Sequence, residues 1–135
     1  MTKIIDGKEF AQKIRNQVKE DSDNLFKNKE VQPCLAVVLV GENPASKVYV
    51  GAKTKMAAEC NINTKDFKME DTTDQATLLK VIEELNNDSS VHGILVQLPL
   101  PKQIDERAVI DAIDVKKDVD GFHAINAGRL SIGGE

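Results

Sequence analysis

A lysine and a tyrosine one helical turn apart are the first candidates for chemistry in this sequence. In "VGENPASKVYVGAKTK", Asn43 can cap a helix and Pro44 can occupy its first turn, so Tyr49 and Lys53 share one face. The spacing predicts an apolar stripe formed by Ala45, Tyr49, Ala52, Met56 and Cys60. An ammonium at the edge of such a stripe loses water, which favours the neutral amine that proton transfer requires. The alternative is a lysine that packs its methylene groups on the core and keeps its charge in solvent.

The stretch "GILVQLPLP", residues 93–101, places an amide at the end of an apolar run. The run has the composition of a strand buried on both faces, and Gln97 interrupts it just before Pro99 and Pro101. Ligands of open parallel sheets bind beyond the carboxyl ends of the strands, so Gln97 can face a cleft and meet Lys53 there. Alternatively, Gln97 satisfies the backbone of a neighbouring loop and the prolines only end the strand.

The segment "KKDVDGF" offers a third candidate, the carboxylate of Asp120. Asp120 either belongs to an ordinary turn or accepts hydrogen bonds from the N–H groups of a polar heterocycle. A calcium loop is excluded, because aligning Gly121 with the obligatory glycine places Lys116 and Ala127 at the first and last ligand positions.

Phosphate-loop and metal motifs are missing from the sequence. In "GENPASK" the second glycine of a phosphate loop is replaced by Ala45-Ser46, and no GxGxxG pattern occurs, so the chain carries no dinucleotide fingerprint. His92 and His123 lack metal-ligand spacing, and we predict structural roles for both. We expect no metal site.

The order of the predicted elements indicates how these side chains are positioned. A short "KII" strand, a helix to about Asn28 and the strand "CLAVVLVG" precede the helix of Lys53, which should end near Asn61. A weaker strand "INTKDFKM", a helix through "ATLLKVIEEL", the strand before Gln97 and a helix through "DERAVIDAI" follow, and "KKDVDGFHAINAGRL" is predicted to be rich in turns. Strands joined by helices of this length are usually parallel. The pattern predicts one three-layer α/β/α domain over residues 1–135 with a mainly parallel sheet.

Two of these helices carry more detailed signals. The first helix has an apolar repeat at Phe10, Ile14, Val18 and, less regularly, Leu25. Before the third helix, Thr72 and Gln75 have the spacing of a capping box. Its predicted inner stripe consists of Leu78, Leu79, Ile82 and Leu85.

Composition narrows the class of protein. The 135 residues are 41% hydrophobic, enough for one core, and carry a net charge of −4 with both signs well mixed, so we expect neither nucleic-acid nor membrane binding. Cys34 and Cys60 lack CxxC spacing, which fits reduced thiols that fill the core. The N-terminus has no signal-peptide core and no apolar run reaches membrane-spanning length, so the expected location is the cytoplasm.

Taken together, these segments resemble one enzyme family, the bifunctional methylenetetrahydrofolate dehydrogenase/methenyltetrahydrofolate cyclohydrolases, called FolD in bacteria. The resemblance covers essentially the whole chain, through "KIIDGKEFAQKIR", "LAVVLVGENPASKVYVGAKTKMAAE", "HGILVQLPLP" and "KKDVDGFHAINAGRL". Its most specific parts are the pattern S-x-x-Y-V-x-x-K-x-K and the pair of VQLPLP with KDVDG.

The resemblance implies a role for each candidate residue. Lys53 would be the catalytic acid/base, and Gln97 would orient or tune it. Tyr49 would pack against the folate ring system, and Asp120 would anchor the polar edge of the pterin. The remaining implied substrate-binding residues line the same pocket and are Val96, Leu98, Pro99, Leu100 and Pro101.

The implied reactions belong to folate one-carbon metabolism, which supplies purine and amino-acid biosynthesis. Methylenetetrahydrofolate loses hydride to NADP, and water then opens the methenyl product to 10-formyltetrahydrofolate. The resemblance further implies a homodimeric parent protein in which a C-terminal Rossmann domain binds most of the NADP. Family members continue past "GRL" into that domain, so this chain is expected to be the folate-binding catalytic half, without dehydrogenase activity of its own.

Two other functions fit the sequence pattern. One is a flavodoxin-like ligand-binding or regulatory module without catalysis, since the alternation of strands and helices alone permits it. The other is a folate-binding remnant that keeps Tyr49 and Asp120 in its cleft but shows no turnover. The feature that separates these functions is whether Lys53, Gln97 and Asp120 converge.

Overall fold

The computed structural model describes residues 4–134, which form an α/β fold of five helices around three strands. In chain order the elements are α1 (Gly7–Lys29), β1 (Cys34–Val40), α2 (Pro44–Glu59), β2 (Asn63–Met69), α3 (Gln75–Asn87), β3 (Gly93–Val96), α4 (Glu106–Ala112) and α5 (Ala124–Ser131). Within the described residues, no helix combines the length and the apolar character that a membrane span needs.

The three strands form one parallel sheet with β1 in its centre. Val38 lies opposite Phe67 of β2 on one side and Val96 of β3 on the other. All three carboxyl ends therefore lie at the same edge of the sheet, as the alternation of strands and helices predicted.

Both faces of the sheet are covered, which confirms the three-layer arrangement. Successive side chains of β1 point to opposite faces. One set packs against α3 and α4, in a core that includes Ala36, Val38, Val40, Leu78, Ile82, Leu85, Val109 and Ile113. The other set faces α2, in a smaller core of Val37, Leu39, Val50 and Leu95.

Helix α2 begins as predicted but buries a different face. Asn43 caps it by accepting a hydrogen bond from the Ser46 N–H at 3.1 Å, and Pro44 stands in its first turn. The buried side chains are those of Ser46, Val50 and Ala57. The predicted apolar stripe is wrong at four of its five positions, since Ala45, Tyr49, Ala52 and Met56 are exposed and only Cys60 is buried. The sequence is apolar on both faces of this helix, so periodicity alone did not identify the inner one.

The N-terminal part of the chain also differs from expectation. Ile4 and Ile5 of the predicted "KII" strand are exposed and lie outside any strand, and its lysine lies outside the described residues. Helix α1 forms, with Asp6 as its cap, but Phe10 is 64% exposed and Ile14 and Leu25 are exposed as well. Within the described chain, α1 packs on α2 through few residues, and its buried Ser22 hydroxyl donates to the Asn61 carbonyl just after α2 at 2.9 Å.

Two local predictions in the second half are corrected. The cap of α3 is Asp74, whose carboxylate accepts the Thr77 N–H at 2.7 Å, and not the Thr72 and Gln75 capping box. An aspartate two residues later in the chain is the better acceptor for the first free N–H groups. The segment predicted to be rich in turns contains α5, which His123 caps through Nδ1.

Candidate active site

Lys53 and Gln97, 44 residues apart in sequence, meet at the carboxyl edge of the sheet. Lys53 Nζ donates a hydrogen bond to Gln97 Oε1 at 3.1 Å. Alternation along β3 explains the contact, because Gln97 follows Leu95 by two residues and so continues the face that packs against Val50 of α2. Lys53 lies about one turn beyond Val50 on that helix, which brings its ammonium above the end of β3.

The Gln97 side chain makes both of the contacts that the sequence left open, one to Lys53 and one to the backbone of the loop. Its amide oxygen accepts from Lys53, while its amide nitrogen donates to the Leu98 carbonyl at 2.7 Å. Its backbone N–H donates to the Val38 carbonyl at 2.9 Å, which extends the pairing of β1 and β3 by one bond. The amide is therefore held in a fixed orientation with its oxygen toward Lys53.

Asp120 is carried to the same region by a short segment that we call the 117–121 arm. Its base is attached to the sheet, because the Ile94 N–H of β3 donates to the Lys117 carbonyl at 2.7 Å and Asp118 forms a parallel bridge with Ile94. Asp120 is an exposed residue, but partial desolvation of its carboxyl raises its pKa, which the positive charge of Lys53 opposes and the negative charge of Asp118 increases. The influence of Lys53 indicates that Asp120 lies in its neighbourhood, and among the described residues the two form no ion pair.

Tyr49 and the loop after β3 complete the neighbourhood, with two exceptions. Tyr49, one turn before Lys53, is 61% exposed and can receive a planar ligand on its ring. Leu98, Leu100 and Pro101 are partly buried, and Pro99 is exposed after a cis peptide bond. The side chain of Val96 points away, into the core on the α3 side, and Leu100 packs against the same core, so these two residues can reach the site only through their main chain.

Two carboxylates that hold the loop and the turn beside the site were not predicted from the sequence. Glu106 of α4 accepts the Leu100 N–H at 2.9 Å and so ties the loop after β3 to that helix. Asp118 accepts hydrogen bonds inside the turn that follows it. Aspartate and glycine are both favoured in turns, so the run from Asp118 to Gly121 could have indicated a tightly folded segment, whereas nothing in the sequence pairs Glu106 with Leu100.

The histidines and cysteines have structural positions. His92 Nδ1 accepts the Cys34 N–H at 3.2 Å, and His123 caps α5. Burial raises the pKa of the Cys34 thiol, which keeps it protonated, and both cysteines are free. In the part of the chain that the structure describes, no cluster of three or more His, Cys, Asp or Glu side chains could hold a metal.

A family model described as "Tetrahydrofolate dehydrogenase/cyclohydrolase, catalytic domain" matches residues 5–120, most of the chain. The chain belongs to this family. The assignment agrees with the resemblance of the four motifs and favours a folate enzyme over a flavodoxin-like module.

Individual relatives agree with the family assignment. The "Bifunctional protein FolD" of Zymomonas mobilis subsp. mobilis is 53% identical over 130 residues, which are 96% of this chain and 44% of that protein. The crystal structure of the bifunctional enzyme FolD from Campylobacter jejuni superposes with a TM-score of 0.93 at 48% identity, over 96% of this chain and 46% of that one. The chain thus spans less than half the length of these relatives.

One solved relative bears on the cofactor. FolD of Trypanosoma brucei, described as complexed with NADP cofactor and inhibitor, has a TM-score of 0.92 at 31% identity. The alignment covers 97% of this chain and 44% of that one.

In this chain, the start of α2 does not fit a pyrophosphate. Asn43 already occupies the Ser46 N–H, Pro44 has no N–H, and the Glu42 carboxylate lies beside this helix end in an ion pair with Lys47.

Proposed function

We propose that this chain is the folate-binding catalytic half of a methylenetetrahydrofolate dehydrogenase/methenyltetrahydrofolate cyclohydrolase. The observation that carries the proposal is the hydrogen bond between Lys53 and Gln97, formed at the carboxyl edge of the sheet in a chain that belongs to this family. In the proposed site Lys53 is the acid/base, Gln97 fixes its orientation, Asp120 accepts N–H groups of the pterin and Tyr49 packs on the ring system.

The hydrolytic step follows from the position of the Lys53 amine. Water adds through its oxygen to the cationic methenyl carbon, and the neutral amine accepts a proton from that water. The bond from this carbon to N5 then breaks, N5 takes up the proton from the lysine, and the hydroxyl proton leaves to solvent as the formyl carbonyl forms on N10. One water is consumed and one proton is released.

For the oxidative step, the described residues supply substrate binding alone. NADP is the proposed hydride acceptor, and its site is proposed to lie mainly in a C-terminal Rossmann domain of the parent protein. The residues of this chain hold the folate and exclude water from one side of it. Tyr49 and the loop from Leu98 to Pro101 are the proposed walls.

The proposal is tested by assaying two proteins, the 135-residue chain and the product of the complete reading frame that encodes it. The longer protein should oxidise methylenetetrahydrofolate with NADP and hydrolyse methenyltetrahydrofolate. The 135-residue chain should show no NADP-dependent oxidation, because it has no glycine-rich loop for a pyrophosphate. Oxidation by the chain alone would place the cofactor site within it, and a longer protein that binds folate without turnover would be the folate-binding remnant.

Replacing Asp120 with Ala should weaken binding of 5-formyltetrahydrofolate by roughly 1–3 kcal/mol, because the N–H edge of the pterin loses a charged acceptor. The effect is measured by calorimetric titration of the parent protein. Asp111→Ala is the matched control, since it removes an exposed carboxylate on α4. Equal affinities of the Asp120→Ala and Asp111→Ala proteins would leave Asp120 as a turn residue.

The resemblance also suggests a cellular setting for the parent protein. We propose a homodimer in the cytoplasm that supplies one-carbon units to purine and amino-acid biosynthesis. The two free cysteines support a reducing compartment.

A further inference from the structure

The 117–121 arm presents Asp120, but among the described residues none of the contacts that give the arm its shape involves the Asp120 carboxylate. Three interactions hold the arm in place. Its base is fixed by Lys117, whose Nζ donates to the carbonyls of Leu85, Asn86 and Asp88 at 2.8–2.9 Å at the end of α3. Its middle rests on the sheet, where a methyl group added at Gly93 would lie 2.6 Å from Val119 Cγ1. Its tip is folded by Asp118.

The Asp118 carboxylate accepts hydrogen bonds from three donors in the residues that follow it. Oδ1 accepts the Gly121 N–H at 3.1 Å, and Oδ2 accepts the His123 N–H at 3.0 Å and the Asn126 Nδ2 at 2.9 Å. Gly121 has a φ of 68°, so the chain reverses there, in a conformation that the hydrogen bond from its N–H helps to fix. These bonds enclose Asp120 within a closed loop of backbone.

The charge state of Asp118 suits its role as the acceptor of these hydrogen bonds. Burial alone would raise the pKa of Asp118, but the hydrogen bonds from Asn126, His123 and Gly121 outweigh it and lower the pKa. The carboxylate therefore remains an acceptor for all its donors at neutral pH. Asp120, two residues on, has the opposite shift and makes none of these contacts.

We propose that Asp118 is a positioning residue that holds Asp120 against the folate site by folding the tip of the 117–121 arm. The proposal rests on the function proposed above, because it takes Asp120 to be the pterin anchor. Asp118 itself touches no substrate, so its influence on binding passes through Asp120.

A double-mutant cycle between Asp118→Asn and Asp120→Ala tests this, with 5-formyltetrahydrofolate titrated into the protein from the complete reading frame. Asp118→Asn puts an amide N–H₂ against at least one of the three donors and should weaken binding roughly 10-fold. In the Asp120→Ala background the same change should have almost no effect, because there is no carboxylate left to position.

The control is Asp114→Asn, the same chemical change in a neighbouring turn. The Asp114 carboxylate accepts the Lys116 N–H at 2.9 Å, whereas only its backbone carbonyl bonds to the arm, so changing the carboxylate to an amide should leave the affinity unchanged. If Asp118→Asn does not fold, Asn126→Ala enters the same cycle, since it removes one of the donors to Asp118.

Each outcome of the cycle is decisive. Loss of affinity that disappears in the Asp120→Ala background supports the proposal. An equal loss in both backgrounds, or no loss while Asp120→Ala alone weakens binding, overturns it and leaves the proposed function intact. Unchanged affinity of the Asp120→Ala single variant overturns the proposal together with the role of Asp120 as pterin anchor.

Discussion

Replacing Lys53 with Met is expected to slow the hydrolysis of methenyltetrahydrofolate by roughly 10²–10⁴, the usual contribution of general acid–base catalysis. Met keeps an unbranched side chain of similar length and good helix propensity but has no titratable nitrogen. Lys53 is partly buried and makes one side-chain hydrogen bond in the described structure, to Gln97, so the fold should lose little. The loss should therefore appear in kcat, measured by the disappearance of methenyltetrahydrofolate with protein from the complete reading frame.

Helix α2 supplies a matched control, because Lys55 stands two residues after Lys53 and is exposed beside a different cleft. That cleft, of about 610 Å³ between α2 and β2, does not include Lys53, Gln97 or Asp120. Lys55→Met removes the same charge from the same helix and should leave the rate unchanged. The Lys53→Met protein could instead be folded and hydrolyse methenyltetrahydrofolate at the rate of the Lys55→Met protein. Lys53 would then have no catalytic role and would only pack its methylene groups on the core while its charge stays in solvent.

The parts of the site that follow from strand order could be predicted from the sequence. Parallel strands place their carboxyl ends at one edge, so a polar residue after β3 and a helix after β1 had to be neighbours. The alternation of side chains then puts Gln97 on the side of α2, and the Lys53 contact at 3.1 Å is the result. This inference needed the periods of strand and helix together with the place of β3 beside β1.

The parts that depend on which of two faces is buried could not be predicted in the same way. Helix α2 has small or apolar residues nearly all round, so its stripe through Ala45 and Met56 looked as good as the true inner face through Ser46 and Val50. A serine at a buried position carries no apolar signal. Likewise, α1 has a clear apolar repeat, yet Phe10 and Ile14 are exposed in the described residues.

The segment after Asp118 shows a third limit. Two glycines, at 121 and 128, and the DG turn signal favoured turns in this segment, so α5 was not predicted. The cap of α5 is a histidine, which is not among the preferred capping residues. Asp118 folds this turn through hydrogen bonds from Gly121, His123 and Asn126, and only the backbone bridge between Asp118 and Ile94 depends on how the arm lies against β3.

Shortening Ile82 to Ala is expected to lower the free energy of unfolding by about 2–5 kcal/mol, the range for removing a large aliphatic side chain from a packed core. Ile82 is fully buried on α3, where it packs against the sheet face formed by Ala36, Val38 and Val40. Urea denaturation with a fitted midpoint and slope measures the change, and an unchanged slope would show that only stability moved.

Ile132 is the matched control, because it allows the same substitution at an exposed position. It is 83% exposed after α5, so Ile132→Ala should change the free energy of unfolding by no more than about 0.5 kcal/mol.

Because Ile82 lies on the sheet face opposite α2, the fraction of Ile82→Ala protein that remains folded should still place Lys53 against Gln97. Affinity for 5-formyltetrahydrofolate, corrected for the folded fraction, should therefore match that of the unaltered protein. Similar urea midpoints for the two alanine variants would contradict the assignment of Ile82 to the core, and a loss of affinity beyond the folded fraction would mean that α3 supports the site directly.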